Sequence, residues 1–429
     1  MTSPLNKGQQ EAADGFFEFL LSDAKEYAIS GPGGVGKTFL MSHLIDKVIP
    51  QYKETCSIMG LTAKYDEVFM TATTNKAAEV LAISTKRPTK TIHSIMNLKV
   101  QDDYSTGRSK VVPTNNWTVH HDKIFFIDEC SMIDTPLHDK LHEGTQDCKI
   151  VYVGDHCQLA PVMEDTSPIY RKNLPFFELT EPMRTKDADL HRINNQLRRT
   201  VETGVFEPIQ IVPGTIELLD ESQLQHKIHE HFLHQTLDSR ILAYTNNRVM
   251  EFNNYIRELR QLPDEYTVGE YLVNNSAVQL KRRMLSVEEE LIISHAAPNT
   301  EKMFVDTNSE LEVRRVTLQT AIGETLENIP LPVNRTHYVQ LLSYYKRHKN
   351  WPVYYNLKNT YPDLRQRDAA TVHKSQGSTY ETVFIDLGNI STCHQPKVVA
   401  RMLYVAFSRA KTRVFLYGNL AKKYGGLIT

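Results

Sequence analysis

Short apolar runs of strand length alternate with longer amphipathic segments through the first two hundred residues. EYAIS precedes KTFLMSHLIDKVI, DEVFMTATT precedes NKAAEVLAI, and KIFFID, KIVYVGD and FFELT follow in turn. Such runs, bounded by turns and separated by helical spacing, predict a parallel sheet wrapped by helices. A second α/β unit begins at RILAYT, continues through the helix-like NNRVMEFNNYIRELR, and resumes only at AATVHKSQG, TVFIDL and LYVAFSRAKTR. Two stretches break the alternation. NLKVQDDYSTGRSKVVPTNNWTV has strand-like pieces on either side of a Ser-Thr-Gly turn and predicts a hairpin insertion. YTVGEYLV, EELIISHAA and LEVRRVTLQT alternate apolar and polar positions and predict a small β-domain inserted into the second unit. RTHYVQLLSYYKRHKNWPVYYNLKN reads as helix in its first half, up to a break at Pro352.

Composition changes this picture little. A chain of 429 residues with 41% hydrophobic content has room for several cores. A formal net charge of −2 does not announce a nucleic-acid partner, so any basic surface must be local. The polar start MTSPLNKGQQ lacks the apolar core of a signal peptide, and Glu18 interrupts the early run FFEFLL, so no export or membrane span is expected. The five cysteines are scattered without CxxC pairs, which excludes a zinc module or disulfide framework of recognised spacing and fits a reducing, cytoplasmic setting. No repeat or low-complexity tract is present.

The chemistry begins at GPGGVGKT, residues 31 to 38, which fits G-x-x-x-x-G-K-[ST] between a predicted strand and helix. Gly31, Gly33, Gly34, Val35 and Gly36 would turn their backbone N–H groups inward around phosphates, helped by the positive end of the helix. Lys37 would neutralise the β/γ-phosphates of ATP, and Thr38 would ligate Mg²⁺. KIFFIDEC then places Asp128 and Glu129 at a strand end, where one carboxylate can hold Mg²⁺ and the other activate water. Taken alone, the pair is equally an acidic strand-end turn. Gln158 in VGDHCQLAPV lies at a third strand end, where an amide can sense the γ-phosphate or the attacking water.

GPGGVGKT, TATTNKAAEVL, TIHSI, IDECSM, GDHCQLAPV, LTEPMR, AYTNNRV, TVHKSQGSTY and LYVAFSRAK, in this order, resemble the motif series of the superfamily 1 helicases, specifically the RecD/Dda branch with its bacteriophage members. The resemblance spans nearly the whole chain, with gaps at the two insertions. It implies an α/β fold of two RecA-like P-loop domains, with a hairpin inserted in the first and an SH3-like β insertion in the second. The first RecA-like domain would comprise 1–96 and 119–205, the hairpin 97–118, the second RecA-like domain 206–263 and 360–429, and the β-domain with its helical extension 264–359. The implied activity is ATP-dependent, DNA-stimulated unwinding with 5′ to 3′ translocation, serving phage replication, recombination or repair. Implied partners are single-stranded and forked duplex DNA, with replication or single-strand-binding proteins, the enzyme itself being a monomer.

The same resemblance assigns Arg409 and Arg184 as arginines reaching the γ-phosphate in the transition state. Gln9 resembles an adenine-reading glutamine, and Gln376 and Gly377 are implied nucleotide contacts. Strand contacts are implied for Thr74, Asn75, Lys76, His93, Thr371, His373 and Lys374, although each histidine read singly is equally a structural one. Read from its residue type alone, Gln9 is a solvent-exposed helix amide and Arg409 a surface ion-pair arginine. Met183 stands where many relatives place an adenine-stacking aromatic. Tyr104, beside the hairpin turn, is the candidate strand-separating tip, and Trp117 packs at its base. A P-loop kinase shares GPGGVGKT but has no use for TVHKSQG or LYVAFSRAK, and an ATP-gated loader would bind DNA without moving.

Overall fold

The computed structural model describes the chain apart from residues 1–3, 66, 106–107, 162–163, 165, 182–186, 264, 281–282, 308, 321–322 and 429. Its first sheet has six parallel strands in the order Phe176–Glu178, Glu26–Ser30, Lys149–Gly154, Lys123–Asp128, Glu67–Ala72, Thr89–Thr91. The central strands are apolar along their length because both faces are covered. One face packs on Lys7–Leu21 and on the helices after the P-loop; the other packs on Thr135–Glu143 and the hairpin base. The helical run Lys37–His43 continues into Ile49–Ile58 through a π turn at Leu44–Val48, just ahead of Pro50, whose missing N–H such a bulge accommodates. Lys149, buried at a strand start, donates to the carbonyls of Phe19, Ser22 and Ala24 at 2.7, 2.7 and 2.6 Å and so caps the end of the Lys7–Leu21 helix.

The second sheet is also parallel, in the order Ile216–Leu219, Ala410–Tyr417, Tyr380–Asp386, Ser239–Ala243, Ala369–Thr371. The inserted sheet is antiparallel: Thr325–Pro332, Glu310–Thr320, Glu290–Phe304, Tyr271–Asn274, Leu364–Gln366. Its long strands run past one apolar cluster around Leu272, Ile293 and Leu318 into a second that joins them to two helices. The expected hairpin pairs Leu98–Asp103 with Arg108–Pro113, and Trp117 packs in the cluster at its base with Met96 and Leu141. All five cysteines are buried and unpaired. No helix among the described residues is long and apolar enough to cross a membrane.

Two features differ from the sequence pattern. Pro352 does not end helix. Arg335–Arg347 stops before it, and a second helix, Trp351–Thr360, carries Pro352 in its first turn, where its missing N–H costs nothing. The helix Ala188–Thr203, grouped by sequence with the first unit, lays Leu190, Ile193 and Leu197 into the same core as Leu403, Val405 and Phe407 of the second-unit helix Pro396–Ser408.

Candidate functional site

The P-loop joins the strand Glu26–Ser30 to the helix Lys37–His43. Gly34 and Gly36 are left-handed, with φ of 86° and 80°. A Cβ on Gly31 would lie 2.6 Å from the Leu179 carbonyl, so only glycine fits there. The helix N-terminus carries no side-chain cap, which leaves its N–H groups facing the loop. The Lys37 Nζ donates to the Gly31 and Pro32 carbonyls at 2.7 and 2.9 Å, folding the ammonium across the cradle it would share with phosphates. Thr38 is half-buried beside it. Gln9 is not an exposed amide: it is fully buried, closes a capping box with Asn6, and donates to the Val35 carbonyl at 3.3 Å.

Asp128 ends its strand, and the Glu129 N–H donates to its carboxylate at 2.9 Å. Burial and then the Glu129 charge push the Asp128 carboxyl up to about 7, against the pull of Lys37. Glu129 itself holds a left-handed φ of 53°, and its Oε2 is buried with no protein partner. Two carboxylates thus crowd one half-buried strand end, an arrangement that a divalent cation relieves. Buried Gln158 accepts at 3.3 Å from Gln376 of the second unit. The ideal Cβ position of Gly377 (φ 77°) is 4.0 Å from Glu129 Oε1. The Gln376–Gly377 turn therefore faces the acidic pair across the boundary between sheets.

Arg409 is buried, not a surface ion-pair residue. Its Nη1 donates to the Ser378 carbonyl at 3.1 Å and its Nη2 to Ser408 Oγ at 3.0 Å, so it braces the turn that carries Gly377 and does not itself reach the P-loop here. Arg184 and Met183 lie outside the described residues.

The strand-contact candidates form two matching sets. Thr74 caps the helix Asn75–Thr85, and Thr371 caps the short turn Val372–Ser375, each hydroxyl accepting from the backbone three residues on. Asn75 is exposed. His93 and His373 are half-buried, with pKa values lowered by burial, and are neutral at pH 7. The two lysines are engaged by the β-domain. Lys374 Nζ meets Asn275 and Glu288 Oε1, the latter at 2.9 Å, and Lys76 Nζ lies 3.8 Å from Glu290 and 3.7 Å from Glu79. Tyr104, 54% exposed, sets its ring edge-on to Tyr355 at 5.3 Å, and Asn359 donates to Asp102 at 3.1 Å. The hairpin tip is thus braced by the Trp351–Thr360 helix. In the aromatic run of that region Tyr345 and Tyr355 are buried, while Tyr344 is exposed.

Sequence reading missed two arginines. Buried Arg198 donates to Asp155 Oδ1 at 2.6 Å, and Tyr404 donates to Asp155 Oδ2 at 2.6 Å. Arg401 donates to the His156 carbonyl at 2.6 Å and to the Gln158 carbonyl. The available signal was an arginine at an inward helix position, the first of the pair in INNQLRRT and the one in VVARMLY.

Known proteins share sequence or fold with this chain. A family described as AAA domain matches residues 4–210, and one described as UvrD-like helicase C-terminal domain matches residues 368–417. The ATP-dependent DNA helicase dda of Enterobacteria phage T4 is 22% identical, covering 96% of this chain and 98% of its own. The mimivirus protein R530 of Acanthamoeba polyphaga mimivirus is 23% identical over 95% and 99%. A structure of two coordinating Pif1 helicases at forked duplex DNA superposes with a TM-score of 0.53 at 16% identity, over 100% of this chain and 95% of that one. Bacteroides Pif1 in complex with ADP-AlF3 and single-stranded DNA gives 0.52 at 15%, with the same coverage.

Proposed function

We propose that this chain, a Dda- and Pif1-like member of the superfamily 1 helicases and an ATP-dependent DNA helicase, couples hydrolysis between its two RecA-like units to 5′ to 3′ movement along a single strand. The observation that carries the mechanism is the Gln158–Gln376 contact, with Gly377 opposite Glu129: catalytic carboxylates and second-unit turn meet at one boundary. ATP enters on the P-loop amides, and Lys37 exchanges its own loop carbonyls for the β/γ-phosphates. Thr38 and Asp128 fit a Mg²⁺ site, because the strand-end carboxylates need a cation there. Bound Mg²⁺ supplies charge neutralisation at the phosphates. Glu129 orients and deprotonates the attacking water, and Gln158 positions it. Gln9, buried beside Val35, holds the loop at the edge where adenine would lie.

On closure of the cleft, Arg409 leaves Ser378 for the γ-phosphate, joined by Arg184. The strand crosses Thr74, Asn75, Lys76 and His93 on one unit and Thr371, His373 and Lys374 on the other, through phosphates and helix N-termini without reading sequence. Tyr104, braced by Tyr355, splits the duplex at the fork. A monomer working in the host cytoplasm on replication, recombination or repair intermediates completes the reading. The test is unwinding of partial duplexes with either a 5′ or a 3′ tail. Efficient unwinding from the 5′ tail is expected, and unwinding only from the 3′ tail overturns the polarity.

A further inference from the structure

At the end of the first sheet opposite the P-loop, three metal-ligating side chains converge. His138 and His142 lie four positions apart on the helix Thr135–Glu143, and their Nε2 atoms are 3.1 Å apart. Glu26 opens the strand whose other end leads into the P-loop, and its Oε1 is 3.0 Å from His142 Nε2 and 3.9 Å from His138 Nε2. Ligands about 2.0–2.1 Å from a tetrahedral zinc ion stand about 3.3–3.4 Å from one another, so these atoms already trace a face of such a site. Histidines at i and i+4 are the spacing by which a helix chelates zinc.

The surroundings fit as well. Tyr152 donates to Glu26 Oε1 at 2.8 Å and fixes the carboxylate. Asp139 lies 3.7 Å from His138 Nδ1, on the ring nitrogen left free for an outer-shell partner. His138 is buried, and its Nε2 faces both His142 and Glu26. The spot among the three ligands attracts positive charge: the Lys172 ammonium lies 2.9 and 3.0 Å from the Glu26 oxygens and 3.3 Å from His142 Nε2. Lys172 is one-third exposed and can withdraw to solvent, and His142 is open on the same side.

We propose that Glu26, His138 and His142 form a site for a zinc-class divalent transition metal, in exchange with the Lys172 ammonium. Water completes the tetrahedron once the Lys172 ammonium has left. The ion would tie the start of the Glu26–Ser30 strand to the helix Thr135–Glu143 and stiffen the base of the sheet that carries the P-loop.

The full-length, chelator-treated protein is titrated with Zn²⁺ against a chromophoric chelator, and with Co²⁺ by visible absorption. One Zn²⁺ per chain is expected, with tetrahedral Co²⁺ bands and a raised Tm. His142→Ala and Glu26→Gln should each weaken Zn²⁺ binding at least about 100-fold, on the scale by which loss of a ligand exceeds the roughly 10–100-fold of an outer-shell partner. Lys172→Met should tighten it about tenfold or more, because the competing cation is gone. DNA-stimulated ATPase in His142→Ala controls for folding. Binding that persists unchanged in His142→Ala is adventitious and overturns the proposal. So does Lys172→Met protein that binds Zn²⁺ no more tightly than wild type.

Discussion

Glu288 and Glu290 hold the two lysines assigned to the DNA strand, which gives a quantitative expectation. Lys374 and Glu288 meet at 2.9 Å with side chains 27% and 17% exposed, and Lys76 and Glu290 at 3.8 Å with 21% and 22%. Partly exposed pairs of this kind are worth about 0.2–1 kcal/mol each, and a DNA phosphate must displace the carboxylate before using the lysine. Glu288→Gln should therefore tighten single-strand binding about 1.4- to 5-fold, and Glu288→Gln/Glu290→Gln about 2- to 30-fold if the effects add. Each lysine newly engaged by phosphate should steepen the dependence of log K on log salt by about 0.7. The assay is fluorescence anisotropy of a labelled oligothymidylate at several salt concentrations, with Lys374→Ala as the opposite control. Although burial raises it, the Glu290 carboxyl is held below its usual range by Arg367, Lys76 and Arg240. Its contribution is thus complete above about pH 4.5 and lost only as pH falls through the lower folded value, so the Glu290→Gln effect should be constant from about pH 6 to 8. Unchanged affinity and salt slope in both glutamine variants would refute the reasoning.

Lys37→Ala should abolish ATP hydrolysis while single-strand binding stays measurable by anisotropy, because the phosphate cradle and the strand track are separate. Arg409→Ala should lower turnover by about 10³ to 10⁵ with a much smaller change in ATP affinity, measured by steady-state kinetics and nucleotide binding; near-normal turnover would leave Arg409 only the bracing of Ser378. Lys149→Met leaves the Ser22 and Ala24 carbonyls without their donor, while the Phe19 carbonyl keeps Ser22, and should cost about 2 kcal/mol or more in urea unfolding, at about 1 kcal/mol or more for each abandoned acceptor. Replacing residues 101 to 112 by a Gly-Ser turn should preserve DNA-stimulated ATPase and strongly reduce duplex unwinding, and wild-type unwinding would remove Tyr104 from strand separation.

What could be read from sequence follows the range over which each interaction acts. The central strands of both parallel sheets were legible because burial on both faces demands continuous apolar runs, as in KIVYVG, whose six positions are all buried; the edge strands Thr89–Thr91 and Ile216–Leu219 are too short to show such a run. The P-loop was legible because only glycine satisfies its backbone. Pro352 misled because proline stops a helix and starts one equally well, and only the turn before it decides. The pairing of Lys76 with Glu290 and of Lys374 with Glu288 joins distant segments and leaves no local signature in either. Arg198 and Arg401 have the same difficulty: an arginine in a helix shows its purpose only when Asp155 and the His156 carbonyl are brought to it.

These contacts differ enough in strength to say which of them survive when the cleft moves. Asp155 is wholly buried and receives both Arg198 and Tyr404, the latter on the second-unit helix Pro396–Ser408. Breaking a buried charge pair of this kind costs about 3–5 kcal/mol, several times the worth of either half-exposed lysine pair. A motion driven by nucleotide would then hold at Asp155 and give first at Lys76–Glu290, the lysine pair that joins the first unit to the β-domain, whereas Lys374 and Glu288 belong to one unit and its insertion. Because Arg401 on the same helix grips the carbonyls of His156 and Gln158, rotation of that helix carries the Gln158 amide with it. Gln158, proposed to position the attacking water, and Asp155, which receives Tyr404 of the second-unit helix, are thus parts of one turn.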